Sequence, residues 1–157
     1  MYKSFLKPVL DFLGAAFLML LLSPGFIITA ILLMIQKKGT PFFRQDRNGK
    51  NERVFKVIKF KTMTDETDEE GNLLPNRDRL TPLGRIIRKT SIDELPQLLN
   101  ILKGEMSFIG PRPLPVRYLP YFTDNERARF TVTPGISGLA QVSGSNLVEW
   151  DRRLSYD

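Results

Sequence analysis

The chain has 157 residues, a length typical of one domain with one core, and it contains neither Cys nor His. These absences exclude disulfides and thiolate chemistry, together with the commonest general base and zinc ligand. Acid–base or nucleophilic work therefore falls to Asp, Glu, Lys, Tyr, Ser or Thr, and any metal is expected to be a hard ion bound through oxygen, with magnesium the first choice. The net charge is +6, and nine basic but only two acidic residues lie between Lys37 and Lys61. Such a patch suits a solvated surface beside a membrane, and equally nucleic acid, anionic lipid headgroups or a phosphorylated substrate.

An uncharged apolar segment extends from Phe12 to Ile35 near the start of the chain. As a straight helix it would be roughly 36 Å long, enough to span a hydrocarbon core of about 30 Å. Ser23-Pro24-Gly25 stands in its middle and predicts a kink or break at Ser23 and Pro24. Basic residues flank both ends, so both ends suit the cytoplasmic side: Lys3, Lys7, Lys37 and Lys38. We therefore predict a re-entrant helix–break–helix over residues 1–36, with a kinked single span as the alternative.

The remaining residues, 37–157, are predicted to form a compact cytoplasmic catalytic domain. The fold class is expected to be α+β, with the membrane helix followed by a small β-hairpin and several short helices. The first elements are predicted to be two strands, Thr40–Gln45 and Arg53–Phe60, joined by a two-residue Asn48-Gly49 turn. A loop over Thr64–Arg79 follows, then a helix capped by Thr81-Pro82 and a helix that ends at Gly104. A short helix begins at the Thr123…Glu126 capping box, and Ile136–Asn146 is predicted to be loop with a short strand.

The most distinctive run of the chain is Ser91-Ile92-Asp93-Glu94-Leu95-Pro96-Gln97. Its apolar spacing predicts a helix with Asp93 as N-cap and Pro96 as the third helical residue, where a missing N–H is tolerated. On local physics alone both acids are explained by this position, because carboxylates at a helix start cap it and suit its dipole.

A functional interpretation uses the same acidic pair and also accounts for its basic neighbours. Arg85, Arg88 and Lys89 precede it and Arg112 follows between two prolines. A carboxylate beside cations at a positive helix end is expected to stay ionised, and can then bind magnesium or attack phosphorus. Cations nearby would neutralise the phosphate charge that repels this attack. Neither a Walker A loop nor G-x-G-x-x-G is present, which argues against a nucleoside triphosphatase or a dinucleotide enzyme.

Several motifs in order give the chain a family resemblance that extends from Met1 to Asp157. The chain resembles the small monotopic phosphoglycosyl transferases of the bacterial sugar transferase family, most closely those that start N-linked glycan assembly in Campylobacter relatives. The resemblance rests on Ser23-Pro24, Lys59-Phe60-Lys61-Thr62-Met63, Ser91–Gln97, Lys103–Pro113 and Pro134–Val142.

This resemblance implies an enzyme that passes a sugar-1-phosphate from a UDP-sugar to undecaprenyl phosphate and releases UMP. The donor sugar is expected to be N-acetylated or a deoxy-amino sugar. Asp93 would attack the sugar-linked phosphate to form a covalent phosphosugar intermediate, and Glu94 would assist. Magnesium would bind at Asp93. The implied substrate-binding residues are Lys59, Arg88, Pro111, Arg112, Pro113 and Gln141.

The resemblance also implies the setting of the reaction. The protein would be monotopic, on the cytoplasmic face of a bacterial inner membrane, with membrane lipid and a second copy of the chain as further partners and no nucleic acid. Family members usually continue beyond this point, so their C-terminal part is expected to be missing here. The alternative from another class is a non-catalytic, membrane-anchored module that binds anionic lipid or phosphate ligands.

Overall fold

The structure is a computed structural model that describes residues 2–37 and 39–143. It is mixed α/β, with one long apolar N-terminal helix and two small sheets, and this confirms the coarse fold prediction. The helices are α1 (Lys7–Lys37), α2 (Asn76–Arg79), α3 (Pro82–Lys89), α4 (Gln97–Leu102) and α5 (Leu139–Val142), and the strands are β1 (Phe42–Asn48), β2 (Val54–Phe60), β3 (Ser107–Ile109) and β4 (Gly135–Ser137). β1 pairs with β2, and β3 pairs in parallel with β4.

Helix α1 is continuous and carries Pro24 in its interior. The break predicted at Ser23 and Pro24 does not interrupt it, so the re-entrant course is not shown. Over Lys7–Gln36 the mean hydropathy reaches 2.5, which makes this helix long and apolar enough to cross a membrane by length and composition. Many of its large apolar side chains are exposed, including Phe17 at 64% and Leu20 at 77%.

The chain divides into two compact units, and the boundary falls within α1, β1 and β2. The described part of the first unit is residues 2–20, 44–57 and 97–143. Its core gathers Ala15 of α1, Val57 of β2, Leu98 and Ile101 of α4, and Met106. The β3–β4 sheet adjoins this core through Phe108 and Ile136. The predicted division into a membrane segment and a cytoplasmic domain is a separate matter and stays a prediction.

The second unit is Leu21–Phe43 with Ile58–Pro96. Its core is formed by Leu33 of α1, Phe60 of β2 and Ile87 of α3. Phe26, Phe42 and Phe60 pack as an aromatic trio, with ring centroids 5.0–5.9 Å apart. The apolar side chains of β2 in this unit are therefore buried, and the side chain of Lys59 lies on the other face of the strand.

The connection between β1 and β2 differs from the predicted two-residue turn. A single 3₁₀ turn, Lys50–Glu52, separates the strands, and Asn51 and Glu52 both have positive φ. The N–H of Gly49 donates to the carbonyl of Arg53 at 2.9 Å and closes this longer loop. The Asn48-Gly49 prediction was wrong because Asn48 stays in the strand with its side chain buried, and the left-handed residues follow it.

The segment around Asp93 also differs from its prediction. Asp93 lies in a 3₁₀ turn, Ile92–Glu94, and α4 begins only at Gln97, after Pro96. Asp93 is therefore not the N-cap of α4, and Pro96 is not its third residue. The physical reason is Ser91: with φ 57° and ψ 16° it turns the chain sharply before the acidic pair, and the next turn closes as 3₁₀.

The two local caps were predicted correctly. Thr81 accepts a hydrogen bond from the N–H of Gly84 at 2.9 Å, with Pro82 in the first turn of α3. Glu126 accepts from the N–H of Thr123 at 2.7 Å, and Thr123 accepts in return from Glu126 at 3.4 Å. Of the predicted loop and strand over Ile136–Asn146, the structure has β4 and then the short helix α5, and residues 144–146 lie outside the described part of the chain.

Gly84 sets how closely α3 approaches the end of β2. A Cβ at this position would lie 2.1 Å from the carbonyl oxygen of Thr62 and 2.8 Å from Oγ1 of Thr81. We therefore expect Gly84→Ala to lower the free energy of unfolding by roughly 1–3 kcal/mol, measured by thermal or urea unfolding in micelles. Gly25→Ala is the matched control in the same unit, because no atom lies within 4 Å of the added Cβ. Equal stability of the two variants would contradict this account.

Candidate active site

The candidate site is built on the 3₁₀ turn that carries Asp93 and Glu94. Ser91 adopts the left-handed conformation just before the turn, at a cost of roughly 1–2 kcal/mol for a residue with a side chain. The turn is closed by the N–H of Glu94, which donates to the carbonyl of Ser91 at 3.1 Å, and by that of Leu95, which donates to Ile92 at 3.1 Å. Strained backbone of this kind is often retained at functional sites. Both acidic side chains are only partly buried, so a ligand can reach them.

Lys59 of β2 reaches the acidic pair. Its Nζ donates to Oε1 of Glu94 at 2.5 Å, and both side chains are about four-fifths buried, with relative exposures of 22% and 19%. Partial burial strengthens such a pair relative to an exposed one and fixes the position of the ammonium group. The structure thus brings together three of the predicted site residues from two separate segments of the chain.

Arg88 of α3 is held toward the same region by the end of β2. Its Nε donates to Oγ1 of Thr62 at 2.8 Å, and Thr62 itself is buried. Arg88 contributes to the electrostatic environment of Asp93, as does Lys59. The Lys59–Met63 motif therefore provides the ammonium group of Lys59 directly, and through Thr62 it positions the guanidinium group of Arg88.

Burial raises the pKa of the Asp93 carboxyl above its ordinary value of 3.8. Lys59 opposes this shift, the charge of Glu94 reinforces it, and Arg88 and the N–H of Asp93 itself oppose it. The sequence predicted that cations and a helix end dominate the ionisation of Asp93. Burial prevails instead. A desolvated carboxylate is also a stronger nucleophile than a hydrated one.

The acidic pair fits magnesium in one particular way. In the described residues there is no group of three or more acidic side chains placed to hold a metal ion. Magnesium, however, is usually held by one or two carboxylates together with substrate phosphates and water. Glu94 is engaged by Lys59, so the partly desolvated Asp93 carboxylate is the ligand that remains for such an ion.

The other predicted substrate-binding residues belong to the first unit. Pro111, Arg112 and Pro113 follow β3, and the carbonyl oxygens of Arg112 and Pro113 accept from Arg129 at 2.9 Å and from Arg47 at 3.2 Å. Gln141 lies in α5 and donates from Nε2 to the carbonyl of Ile136 at 2.9 Å. The structure therefore groups Lys59, Arg88, Asp93 and Glu94 in one unit, and Pro111–Pro113 and Gln141 in the other.

A cleft beside Pro111–Pro113 includes residues that the sequence argument missed. It is lined by Asn48, Gly49, Pro111, Arg112, Pro113, Arg129, Phe130, Val132 and Pro134. Asn48 and Arg129 lie far from the motif in sequence, and no local pattern marks them. The only available signal was the basic character of the segment that contains Asn48.

The helix that is long and apolar enough to cross a membrane fits a membrane-associated protein, and the partly buried Asp93 carboxylate beside Lys59 and Arg88 is the candidate site. Comparison with known proteins agrees with this class. The family profile described as bacterial sugar transferase matches residues 2–157. The chain belongs to the bacterial sugar transferase family, which confirms the family predicted from the motifs.

Named relatives come from several bacteria. An uncharacterized sugar transferase of Bacillus subtilis, EpsL, is 46% identical over 97% of this chain and 75% of its own length. The UDP-glucose:undecaprenyl-phosphate glucose-1-phosphate transferase of Caulobacter vibrioides is 41% identical over 88% of this chain and 54% of its own. An Aeromonas hydrophila enzyme, UDP-N-acetylgalactosamine-undecaprenyl-phosphate N-acetylgalactosaminephosphotransferase, is 41% identical over 88% of this chain and 34% of its own. The chain thus spans between a third and three quarters of these relatives. The closer resemblance to Campylobacter-type enzymes stays a prediction.

Proposed function

We propose that the protein is a polyprenyl-phosphate phosphoglycosyl transferase that moves a sugar-1-phosphate from a UDP-sugar to undecaprenyl phosphate and releases UMP. The observation that carries this proposal is the partly buried Asp93 carboxylate beside Lys59 and Arg88, in a chain of the sugar transferase family. The names of the Caulobacter and Aeromonas relatives support the donor and acceptor classes.

The reaction would take place in two displacements at phosphorus. An oxygen of Asp93 attacks the phosphate that carries the sugar, the new carboxyl–phosphate bond forms, and the bond to the UMP oxygen breaks. A phosphate oxygen of undecaprenyl phosphate then attacks the same phosphorus and displaces Asp93, which regenerates the carboxylate. Lys59 and Arg88 would stabilise the charge on the phosphoryl oxygens, and Glu94 would hold the ammonium of Lys59 in place.

Magnesium is proposed as the cofactor, with Asp93 as its protein ligand and substrate phosphates completing the site. When bound, it would neutralise phosphate charge and favour departure of UMP. In the first unit, Pro111, Arg112, Pro113 and Gln141 would contact the donor. An N-acetylated or deoxy-amino sugar remains the proposed donor sugar.

The decisive experiment is incubation of the detergent-solubilised protein with UDP-sugars, magnesium and undecaprenyl phosphate. We expect release of UMP and, without acceptor, a phosphosugar adduct whose mass and peptide position identify Asp93. A screen of glucose, galactose, N-acetylated and deoxy-amino donors would identify the sugar. If no donor yields UMP or an adduct, the protein is better described as a non-catalytic module that binds anionic lipid or phosphate.

We also propose a monotopic course for α1, with both ends on the cytoplasmic face of a bacterial inner membrane. The support is Pro24 inside the helix and lysines beyond both ends of the apolar segment. The helix would bend within one leaflet and bring the acidic pair to the membrane surface, where the lipid phosphate resides. Membrane lipid and a second copy of the chain are proposed as partners.

The proposed topology predicts the result of cysteine labelling, which is simple to interpret because the chain has no native Cys. Tyr2→Cys and Thr40→Cys are expected to react with an impermeant maleimide only after the cytoplasmic face is opened. Labelling of the two positions from opposite faces would instead establish a true span. The unsubstituted chain is the background control.

A further inference from the structure

The N-terminal part of α1 carries a polar cluster that the proposed mechanism does not use. The side chain of Asp11 is only 15% exposed, and its Oδ2 accepts from Nζ of Lys7 at 2.9 Å. The same oxygen accepts from Oγ of the buried Ser107 at 2.7 Å, and Oδ1 accepts from the N–H of Phe108 at 3.3 Å. A carboxylate is retained in such a place where donors compensate its lost hydration, so Asp11 fixes α1 to β3.

β3 depends on contacts of this kind because its sheet is small. In the described part of the chain β3 and β4 pair only with each other, and each is three residues long. A sheet of two short strands is marginal by itself. Helix α1 supports β3 at Phe108 in two ways: Asp11 accepts from its N–H, and a Cβ on Gly14 would lie 3.0 Å from Cε2 of its ring. The position of β3 is therefore set in part by α1.

β3 leads directly into the segment that is proposed to contact the donor. The N–H of Gly110 donates to the carbonyl of Ser137 at 2.9 Å, and the carbonyl of Pro111 accepts from the N–H of Gly135 at 2.9 Å. A Cβ on Gly135 would lie 2.2 Å from the nitrogen of Gly110, so these backbones are in direct contact. Close-packed segments transmit strain, and a displacement of β3 would therefore also displace Pro111 and Arg112.

We infer that Asp11 is a positioning residue for the donor, which acts through β3 on the segment Pro111–Pro113. The N-terminal part of α1 is then a support of the donor site as well as a membrane element. Asp11 itself would not touch the donor, because a carboxylate repels the phosphates of a UDP-sugar. The inference rests on the proposed function, from which it takes the contact between Pro111–Pro113 and the donor.

The test is equilibrium titration of the full chain in micelles with UMP, which reports both a Kd and the fraction of the protein that binds. Asp11→Leu should weaken UMP binding about 10-fold and leave the binding fraction unchanged. Loss of a negative charge alone would strengthen the binding of an anion, so the expected change is opposite in sign to a charge effect. A merely structural role would lower the binding fraction at an unchanged Kd. That result, or an equal or tighter Kd, would overturn the inference.

Asp11→Asn is the matched variant, because it loses the same charge and keeps the pairing with β3. Its amide oxygen can still accept from the N–H of Phe108. Its amide NH₂ can donate to Oγ of Ser107, whose hydroxyl can in turn donate to the carbonyl of Ile109 at 3.1 Å. UMP affinity should therefore stay within about threefold of the unsubstituted protein. A loss as large as that of Asp11→Leu would mean that the charge or the Lys7 ion pair is responsible, and the inference would be wrong.

Gly14 allows an independent test from the same helix. Gly14→Leu should displace Phe108 and weaken UMP binding in the same sense, although it removes no polar group. Gly25→Leu is the control, because no atom lies within 4 Å of a Cβ at that position. Unchanged UMP affinity of Gly14→Leu would show that the docking of α1 on β3 does not position the donor segment, and the inference would be rejected.

These titrations involve no transfer chemistry, so the inference and the proposed function can fail separately. Absence of UMP release and of an Asp93 adduct, with UMP binding that still depends on Asp11, would reject the transferase and retain the positioning role. Turnover combined with a UMP affinity that is insensitive to Asp11→Leu would retain the transferase and reject this role for Asp11.

Discussion

Asp93→Asn is expected to abolish the phosphosugar adduct and to slow UMP release by at least about a thousandfold. The amide cannot provide the oxygen nucleophile that the proposed intermediate requires, and removal of a covalent nucleophile typically costs rate factors of this order or larger. The measurement is single-turnover UMP release combined with intact-protein mass spectrometry. Asp78→Asn is the matched control, because Asp78 belongs to the same unit and its carboxylate pairs with Arg77 at the surface. An adduct of undiminished yield on Asp93→Asn would show that another side chain is the nucleophile.

Asp93→Asn is also expected to change the thermal stability of the protein, in a direction that follows from the raised pKa of Asp93. Since burial raises the folded-state pKa of Asp93, its contribution to stability is fully present below pH 3.8 and is lost as pH rises through the folded pKa. At neutral pH Asp93→Asn should therefore unfold at a higher temperature than the unsubstituted protein, and the difference should shrink as the pH is lowered toward 3.8. A lower melting temperature at pH 7 would mean that the carboxylate is stabilised in the fold. This stability gain separates loss of activity from loss of structure.

Local signals in the sequence were sufficient for the caps and for the family. Thr81 with Pro82, and Thr123 with Glu126, specify their turns through contacts within a few residues, and both predictions hold. The prediction for Asp93 failed for an equally local reason that the sequence does not reveal. Ser91 adopts a left-handed conformation that few residues other than Gly favour, and this delays α4 until after Pro96.

Contacts between distant segments could not be predicted in this way. Lys59 and Glu94 are 35 positions apart, and their ion pair depends on how β2 and the 3₁₀ turn pack in the second unit. Asn48 looked like a turn residue because Asn-Gly is a strong hairpin signal. Its burial depends on tertiary structure, since the segments containing Pro113 and Arg129 line the cleft with it. The sequence therefore located the acidic pair and its cations but not the ion pair that organises them.

The second large effect on the rate of UMP release is expected from substitutions in the Lys59–Glu94 ion pair. Lys59→Met is expected to reduce the rate of UMP release about 10²- to 10³-fold, because it removes a positioned cation from the phosphoryl oxygens. Glu94→Gln should cost less, since it keeps Lys59 but loosens its position. Both variants should be measured by single-turnover UMP release across pH, with Lys89→Met as the control, because Lys89 is an exposed lysine at the end of α3 in the same unit.

The pH profiles of these two variants should move in opposite directions. Activity requires ionised Asp93, so it falls as pH drops through the pKa of that carboxyl. Lys59 lowers this pKa, and Lys59→Met should therefore shift the acid limb to higher pH. The charge of Glu94 raises it, and Glu94→Gln should shift the limb to lower pH. If the acid limbs of the two variants shift in the same direction, or if neither shifts, then Asp93 is not the group whose ionisation limits the rate. Opposite shifts combined with unequal rate losses would identify Glu94 as a positioning residue that acts through Lys59. They would distinguish it from a proton donor, which must be protonated to act and whose loss should remove the alkaline limb of the profile.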